Sequence, residues 1–314
     1  MLNDLYYTIN HSINFTCSIF IIAVALLVIS LVIWNRQCRN FTNVLTCNTC
    51  SAVAFHFILR FLTVIFVFRD DWDTTQPACH FRAYLSLMTV TAILYSYVAQ
   101  ATSHLFFAFF YRYRSLLTWR AHWILIAINW SSAILIAFPP YLQDQGFYFN
   151  PDTRLCTFNQ KKSSVTIYVG ISMLLIPTSI VISIYTSIFC RFQRLNRRVA
   201  VCHSISEDVN TKNRSSTLIC KREFKLMKDI SAQVIIAASG CVPYAITIAS
   251  IPFKGSATAA ISYLLAYTSI SIGSTVMMIV LFTMNKSIKN AASKLIIGYR
   301  PTIFQNRAIY PLPT

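Results

Sequence analysis

The chain is short of charge and of glycine. Only 12% of its 314 residues are charged and 6 are Gly, whereas soluble domains average about 25% charged residues. That deficit, with 55% hydrophobic residues and a mean hydropathy of +0.54, excludes an ordinary water-soluble enzyme and points to a polytopic membrane protein. Acid is scarcer still. The ten Asp and Glu all fall in loops or at the ends of apolar runs, which argues against a carboxylate proton relay or an acidic ring for cations. No CxxC pair sits in a polar zinc-ribbon setting, since Cys47 and Cys50 lie inside an apolar run, so no metal site is expected. There is no internal repeat and no low-complexity tract. The N-terminus lacks a basic start and a small-residue cleavage site, so the first span reads as a retained signal-anchor.

What is present is a series of seven apolar stretches without strand-like alternation. They run from Phe15 to Trp34, Val44 to Phe68, Cys79 to Phe110, Trp123 to Tyr141, Ser163 to Cys190, Ile230 to Ile251 and Thr258 to Met284. Each is long enough as a helix to cross about 30 Å of hydrocarbon. The net charge of +17 would suggest nucleic acid as partner of a soluble protein, but across a bilayer its distribution matters more than its sum. Alternate gaps hold +16 and 0, with Arg60 inside span two completing the total. The positive-inside rule therefore places the N-terminus outside and the tail in the cytoplasm, as expected of a plasma-membrane protein with no nucleic-acid partner. The expected organisation is an extracellular segment 1–14, a seven-helix domain 15–284 with a polar third loop at about 191–228, and an amphipathic helix with a tail over 285–314.

Two sequons, Asn10-His11-Ser12 and Asn14-Phe15-Thr16, lie on the outer side and mark Asn10 and Asn14 as candidate glycosylation sites. Asn40, Asn129 and Asn213 match the same pattern, so it is not specific. Of the ten cysteines, two differ from the rest. Cys79 opens span three on the outer, oxidising side, and Cys156 lies in the outer loop from Gln143 to Lys162. A bridge between them would tie that loop over the mouth of the bundle; the alternative is two free thiols.

These residues together resemble the rhodopsin-like (family A) seven-transmembrane G-protein-coupled receptors, over nearly the whole chain. In that family a bridge Cys starts helix three, an Arg motif follows about 25 residues on, and a helix-four Trp about 26 later. Here Cys79 leads to His104 and then to Trp130, with Pro139-Pro140 following. Span five carries Pro177 and Tyr185, and span six Pro243, at the spacing the family uses for kinks and an inward-turning tyrosine. The resemblance implies an all-α seven-helix bundle with a short eighth helix built on Lys286, Lys289 and Lys294. It also implies an extracellular ligand, a heterotrimeric G protein and membrane lipid as partners, no cofactor and no enzymatic activity.

The switch motifs depart from the family. Ser103-His104-Leu105 stands where Asp-Arg-Tyr is expected. Tyr111-Arg112-Tyr113 looks closer by letter, but that Arg lies 33 residues after Cys79, about 50 Å of helix, so the His104 register is preferred. Val53 replaces a sodium-binding Asp, Gly240-Cys241-Val242 precedes Pro243 without the Trp, and Met277-Met278-Ile279-Val280-Leu281 replaces Asn-Pro-x-x-Tyr. The switch set expected from the resemblance is His104, Tyr185, Glu223 and Pro243. Glu223 stands where an acid pairs with helix three; otherwise it is a solvated member of a charged run.

Ser86 occupies the position of the amine-pairing Asp, which disfavours an amine ligand, and the absence of Lys from span seven excludes a retinal Schiff base. His56 and Arg60, four apart on one face of span two, suit an anionic or carbonyl-rich ligand such as a peptide C-terminus. The alternative is that Arg60 snorkels outward toward Asp70 or Asp71 while His56 is a core histidine. Tyr84, Ser86, Thr91, Tyr263 and Tyr267 complete the candidate lining. The rival readings are a non-coupling decoy of the same fold, a transporter or channel, and an intramembrane hydrolase using Ser172, for which no histidine is obviously placed.

Overall fold

The computed structural model describes residues 2–68, 76–110, 113–143, 146–150, 155–159, 162–203, 242–243, 246 and 256–296. Helices dominate, as long apolar runs demand where lipid leaves backbone groups no other partner. They are α1 (Leu2–Trp34), α2 (Phe41–Phe68), α3 (Gln76–Phe109) and α4 (Trp119–Leu142). Next comes α5, the unbroken run of Ser163–Val169, a π-helical Gly170–Leu175 and Ile176–His203. The last long helix is α6 (Ser256–Met284), followed by α7 (Lys286–Ile296). Six of the described helices are long and apolar enough to cross a membrane. Of the seventh expected span, Ile230–Ile251, only residues 242, 243 and 246 are described, all helical.

Each helix end has a local cause. Asn40 accepts the Asn43 backbone N–H at 2.8 Å and so caps α2, and Thr118 caps α4 through the Ala121 N–H. Asn285 caps α7 through the Ile288 N–H, holding that helix just past the end of α6. Two ends differ from expectation. Helix α1 begins at Leu2 rather than near Phe15, and α5 continues to His203 through a segment expected to be loop. Neither extension contains Gly or Pro, so nothing breaks the backbone ladder where the apolar run ends. In α5 the π-helical stretch lies directly before Pro177, whose ring would clash with the carbonyl four residues back in a regular helix.

The packing is that of a membrane bundle. Small residues let the helices approach closely: Ala25, Ala52, Ala92, Ala101, Ala133 and Ala137 are fully buried. One core joins α1, α2, α6 and α7 around Ile21, Val28, Phe57, Met278 and Ile288. A second joins α3, α4 and α5 around Leu87, Ala133 and Val169. Large apolar side chains such as Trp34, Leu135 and Trp123 are instead more than half exposed. A soluble surface would not tolerate so many, whereas lipid does.

A two-stranded antiparallel hairpin, β1 (Phe147–Asn150) and β2 (Leu155–Phe158), closes one end of the bundle, with Phe149 opposite Cys156. Cys156 is bonded to Cys79 in the first turn of α3, with Cα atoms 5.4 Å apart. Gly146 opens the hairpin, and a Cβ there would stand 1.9 Å from the Pro140 carbonyl oxygen. The Gly146→Ala variant is therefore expected to displace the hairpin and lower the yield of correctly bridged protein, seen as increased thiol labelling of Cys79 and Cys156.

Candidate functional site

Toward the hairpin end, α2 delivers Arg60 into the interior rather than outward to the loop. Only 3% of the residue is exposed. Its Nη1 donates to Ser271 Oγ at 2.8 Å and its Nη2 to the Tyr267 carbonyl at 3.1 Å. The guanidinium also lies over the Tyr267 ring, 3.3 Å from its centroid. From Ser271 a run of donors continues through α1. Ser271 Oγ donates to Asn14 Oδ1, and Asn14 Nδ2 donates to Thr268 Oγ1 at 2.9 Å. Thr268 Oγ1 donates to Asn10 Oδ1 at 2.7 Å, and Asn10 Nδ2 to the Tyr6 carbonyl at 3.1 Å.

Every bond in this run points away from the cation, so the guanidinium charge polarises the whole chain. Among the described residues, neutral dipoles and the Tyr267 ring are what face that charge. Among the described residues, Arg60 Nε is buried without a hydrogen-bond partner, so the group keeps donor capacity for an anion.

The same run of residues holds the two sequon asparagines. Asn10 and Asn14 are buried inside α1 with their carboxamide nitrogens donating to neighbours. Asn14 Nδ2 and Asn10 Oδ1 both meet Thr268 and so hold α1 against α6.

His56, one turn from Arg60, faces α3. Its Nδ1 is 3.1 Å from Thr89 Oγ1, while the single Thr89 hydroxyl proton is directed to the Leu85 and Ser86 carbonyls. The network therefore assigns Nδ1 as the donor. His56 is a satisfied core histidine, and Ser86 joins it through its backbone rather than its hydroxyl. Tyr84 is half-buried and packs on Tyr141 of α4 at 5.2 Å. Thr91 is fully buried with its hydroxyl bonded back to the Leu87 carbonyl, so it packs rather than lines. The Tyr263 side chain lies outside the described residues. Arg60 and Tyr267 are thus brought together, His56 meets α3 at Thr89, whose hydroxyl reaches the Ser86 carbonyl, and Tyr84 and Thr91 stand apart.

Toward the opposite end, polar contacts stitch α2 to its neighbours. Trp130 Nε1 donates to Asn48 Oδ1 at 2.9 Å. Gln100 donates to Thr49 Oγ1, which in turn donates to Ser96 Oγ. Asn285 Nδ2 donates to Asn43 Oδ1, joining the start of α2 to the junction of α6 and α7. His104 is buried near the end of α3. Tyr185 of α5 packs against the first core, its hydroxyl buried and, among the described residues, without a hydrogen-bond partner. Pro243 is helical and exposed. Glu223 and Arg112 lie outside the described residues.

The model of the seven-transmembrane receptors of the rhodopsin family matches residues 24–279. The chain belongs to the rhodopsin family of seven-transmembrane receptors. It is thus a multi-pass membrane protein of the family A G-protein-coupled receptors, a receptor fold rather than an enzyme fold. The crystal structure of squid rhodopsin superposes on the receptor with a TM-score of 0.79 at 15% identity, covering 94% of this chain and 86% of that one. Among curated proteins, none matches the receptor in sequence.

Sequence reasoning missed several residues of this receptor. Ser271 anchors Arg60 and is held in turn by Asn14, marked before only as a sequon, and through it by Thr268; the available signal was polar residues recurring at helical spacing within apolar runs, as in Asn10-Asn14 and Thr268-Ser271. His122 was missed too. It is fully buried, with Nε2 2.9 Å from Ser103 Oγ and its ring stacked on Phe41. Its position at the start of α4, one residue before an expected span, hid it.

Proposed function

We propose that the receptor sits in the plasma membrane with its N-terminus outside. There it binds an extracellular ligand with an anionic or carbonyl-rich end, most simply a peptide with a free C-terminus, and signals to a heterotrimeric G protein. Rearrangement of the helices around Pro243 transmits the binding event. The observation that supports this reading is the buried Arg60 cation, which meets only neutral partners among the described residues and retains an unused N–H. A guanidinium fork matches a carboxylate in two parallel hydrogen bonds, each stronger than one between neutral groups. An amine ligand would be repelled by the same charge.

The test is a panel of chimeric G proteins in cells expressing the receptor, challenged with peptides as free acids and as C-terminal amides. Free acids are expected to act at concentrations at least about tenfold lower, one charge-assisted hydrogen bond being worth about 1.5–3 kcal/mol. Equal potency of acids and amides would overturn the ligand class.

The non-coupling decoy is supported by the His104 register: in it, a histidine that is buried stands in for the family's coupling Arg. Specific peptide binding without a response from any G protein would establish that alternative. A response lost on Arg112→Ala but indifferent to His104→Ala would reverse the helix-three register.

A further inference from the structure

Arg60 carries a full positive charge into the interior, where the described residues offer it no carboxylate. The ten acids of the chain fall in loops or at the ends of apolar runs. Those that follow along α2, Asp70 and Asp71, come after Phe68, which is about 12 Å of helix beyond Arg60. The side chain turns across to α6 instead. There Ser271 Oγ and the Tyr267 carbonyl oxygen stand 3.5 Å apart and accept from Nη1 and Nη2 respectively. Two acceptors so close together take up the edge between the end nitrogens. The other edge carries Nε–H and the second hydrogen of Nη2, and it meets no acceptor among the described residues. Buried charges are ordinarily paired, because an uncompensated one loses its hydration with nothing in return.

The surroundings decide the kind of anion that fits. The ring centroids of Tyr267 and Phe57 lie 3.3 and 5.5 Å from the guanidinium carbon. The polar hydrogens of the adjoining network are committed: Ser271 donates to Asn14, Thr268 to Asn10, and Asn14 to Thr268 and the Asn10 carbonyl. Recognition therefore falls to the guanidinium edge itself. A single charge and one edge with two donors suit a monovalent anion that gives up its water readily. Sulfate or hydrogen phosphate would bring a second negative charge into the interior with no cation to meet it.

We propose that Arg60 holds a chloride ion on its Nε edge in the ligand-free receptor, as the counter-ion of the buried charge, and that a carboxylate ligand displaces it. Binding of the ion stands on the buried cation alone; its displacement rests on the reading given under Proposed function. Chloride is then a competitor at the ligand site, and occupancy of the edge sets how much ligand is needed.

The experiment uses the full purified receptor in neutral detergent, with potassium gluconate exchanged for potassium chloride at constant ionic strength. The melting temperature is expected to rise by about 3 °C in chloride, the shift given to a chain of this size class by an ion present at about ten times its dissociation constant. The chloride-35 resonance should broaden in the presence of the receptor and sharpen again when bromide is added. Arg60→Met should lose both effects, and Arg60→Lys, which keeps the charge without the edge, should keep a smaller part of each. A parent protein that melts alike in gluconate and chloride and leaves the resonance narrow would overturn the ion, and so would equal effects in the parent and Arg60→Met. In cells, exchanging external chloride for gluconate should lower the concentration at which free-acid peptides act by about tenfold, the factor by which such an occupant reduces the competent fraction. Chloride effects on the purified parent without any change in free-acid potency would uphold the ion and overturn Arg60 as the anchor of the carboxylate, so the two readings fail separately.

Discussion

Replacing Cys79 or Cys156 by Ser is expected to remove most correctly folded receptor from the membrane. The bridge closes a loop across 77 positions of sequence, and the chain-entropy relation gives about 4 kcal/mol for a loop of that size. A loss of that order exceeds what most single substitutions cause and is a large share of a typical folding free energy. The loss concentrates on the hairpin. Phe147, Leu155 and Phe158 are buried against the bundle, and without the bond from β2 to α3 the hairpin is tethered only by its main-chain links to α4 and α5. Either single variant should lower the melting temperature in detergent by about 10 °C, taking about 2–4 °C per kcal/mol for a chain of this size class. The double variant should fall no further, because both changes remove one bond. Single variants that melt with the parent would mean that the hairpin is held by its apolar contacts alone.

The seven-helix architecture was legible because membrane helices write themselves as long apolar runs. The bridge was legible as well, because Cys79 opens span three and Cys156 lies in the loop between spans four and five, and the two are joined. Helix ends were less legible. The polar residues of α1 before Phe15 and of α5 after Cys190 carry no apolar-run signal, yet their backbones remain helical. The sequons at Asn10 and Asn14 gave no hint of the burial of both side chains. A three-letter motif records residue type, whereas burial is set by the α6 residues packed opposite. Arg60 shows the same gap between pattern and partner. Its long side chain can point outward to Asp70 and Asp71 or inward, and the choice depends on Ser271 and Tyr267, more than 200 residues away. A helical wheel tells which residues share a face, not which face on another helix receives them.

For Arg60 the expected result separates function from stability. In Arg60→Met the stem keeps most of its volume while the charge and both hydrogen bonds vanish. Replacing a buried ionic group by an apolar one of similar volume is often neutral or stabilising, because the desolvation cost of the charge disappears with it. Ser271 Oγ keeps its own donation to Asn14, so the bond from α1 to α6 survives. The melting temperature of Arg60→Met in detergent is accordingly expected to stay level or rise. The response to a carboxylate-bearing peptide should instead weaken about a hundredfold or more, since two charge-assisted hydrogen bonds at about 1.5–3 kcal/mol each are lost with the fork. Arg60→Lys keeps the charge but loses the planar pair of donors and the stacking on Tyr267, so it should fall between, about tenfold weaker. A structural pin behaves in the opposite way: Arg60→Met would melt early and the surviving molecules would respond at the parent concentration. Potency and melting temperature measured on the same three proteins therefore assign the buried cation either to ligand recognition or to the seam between α2 and α6.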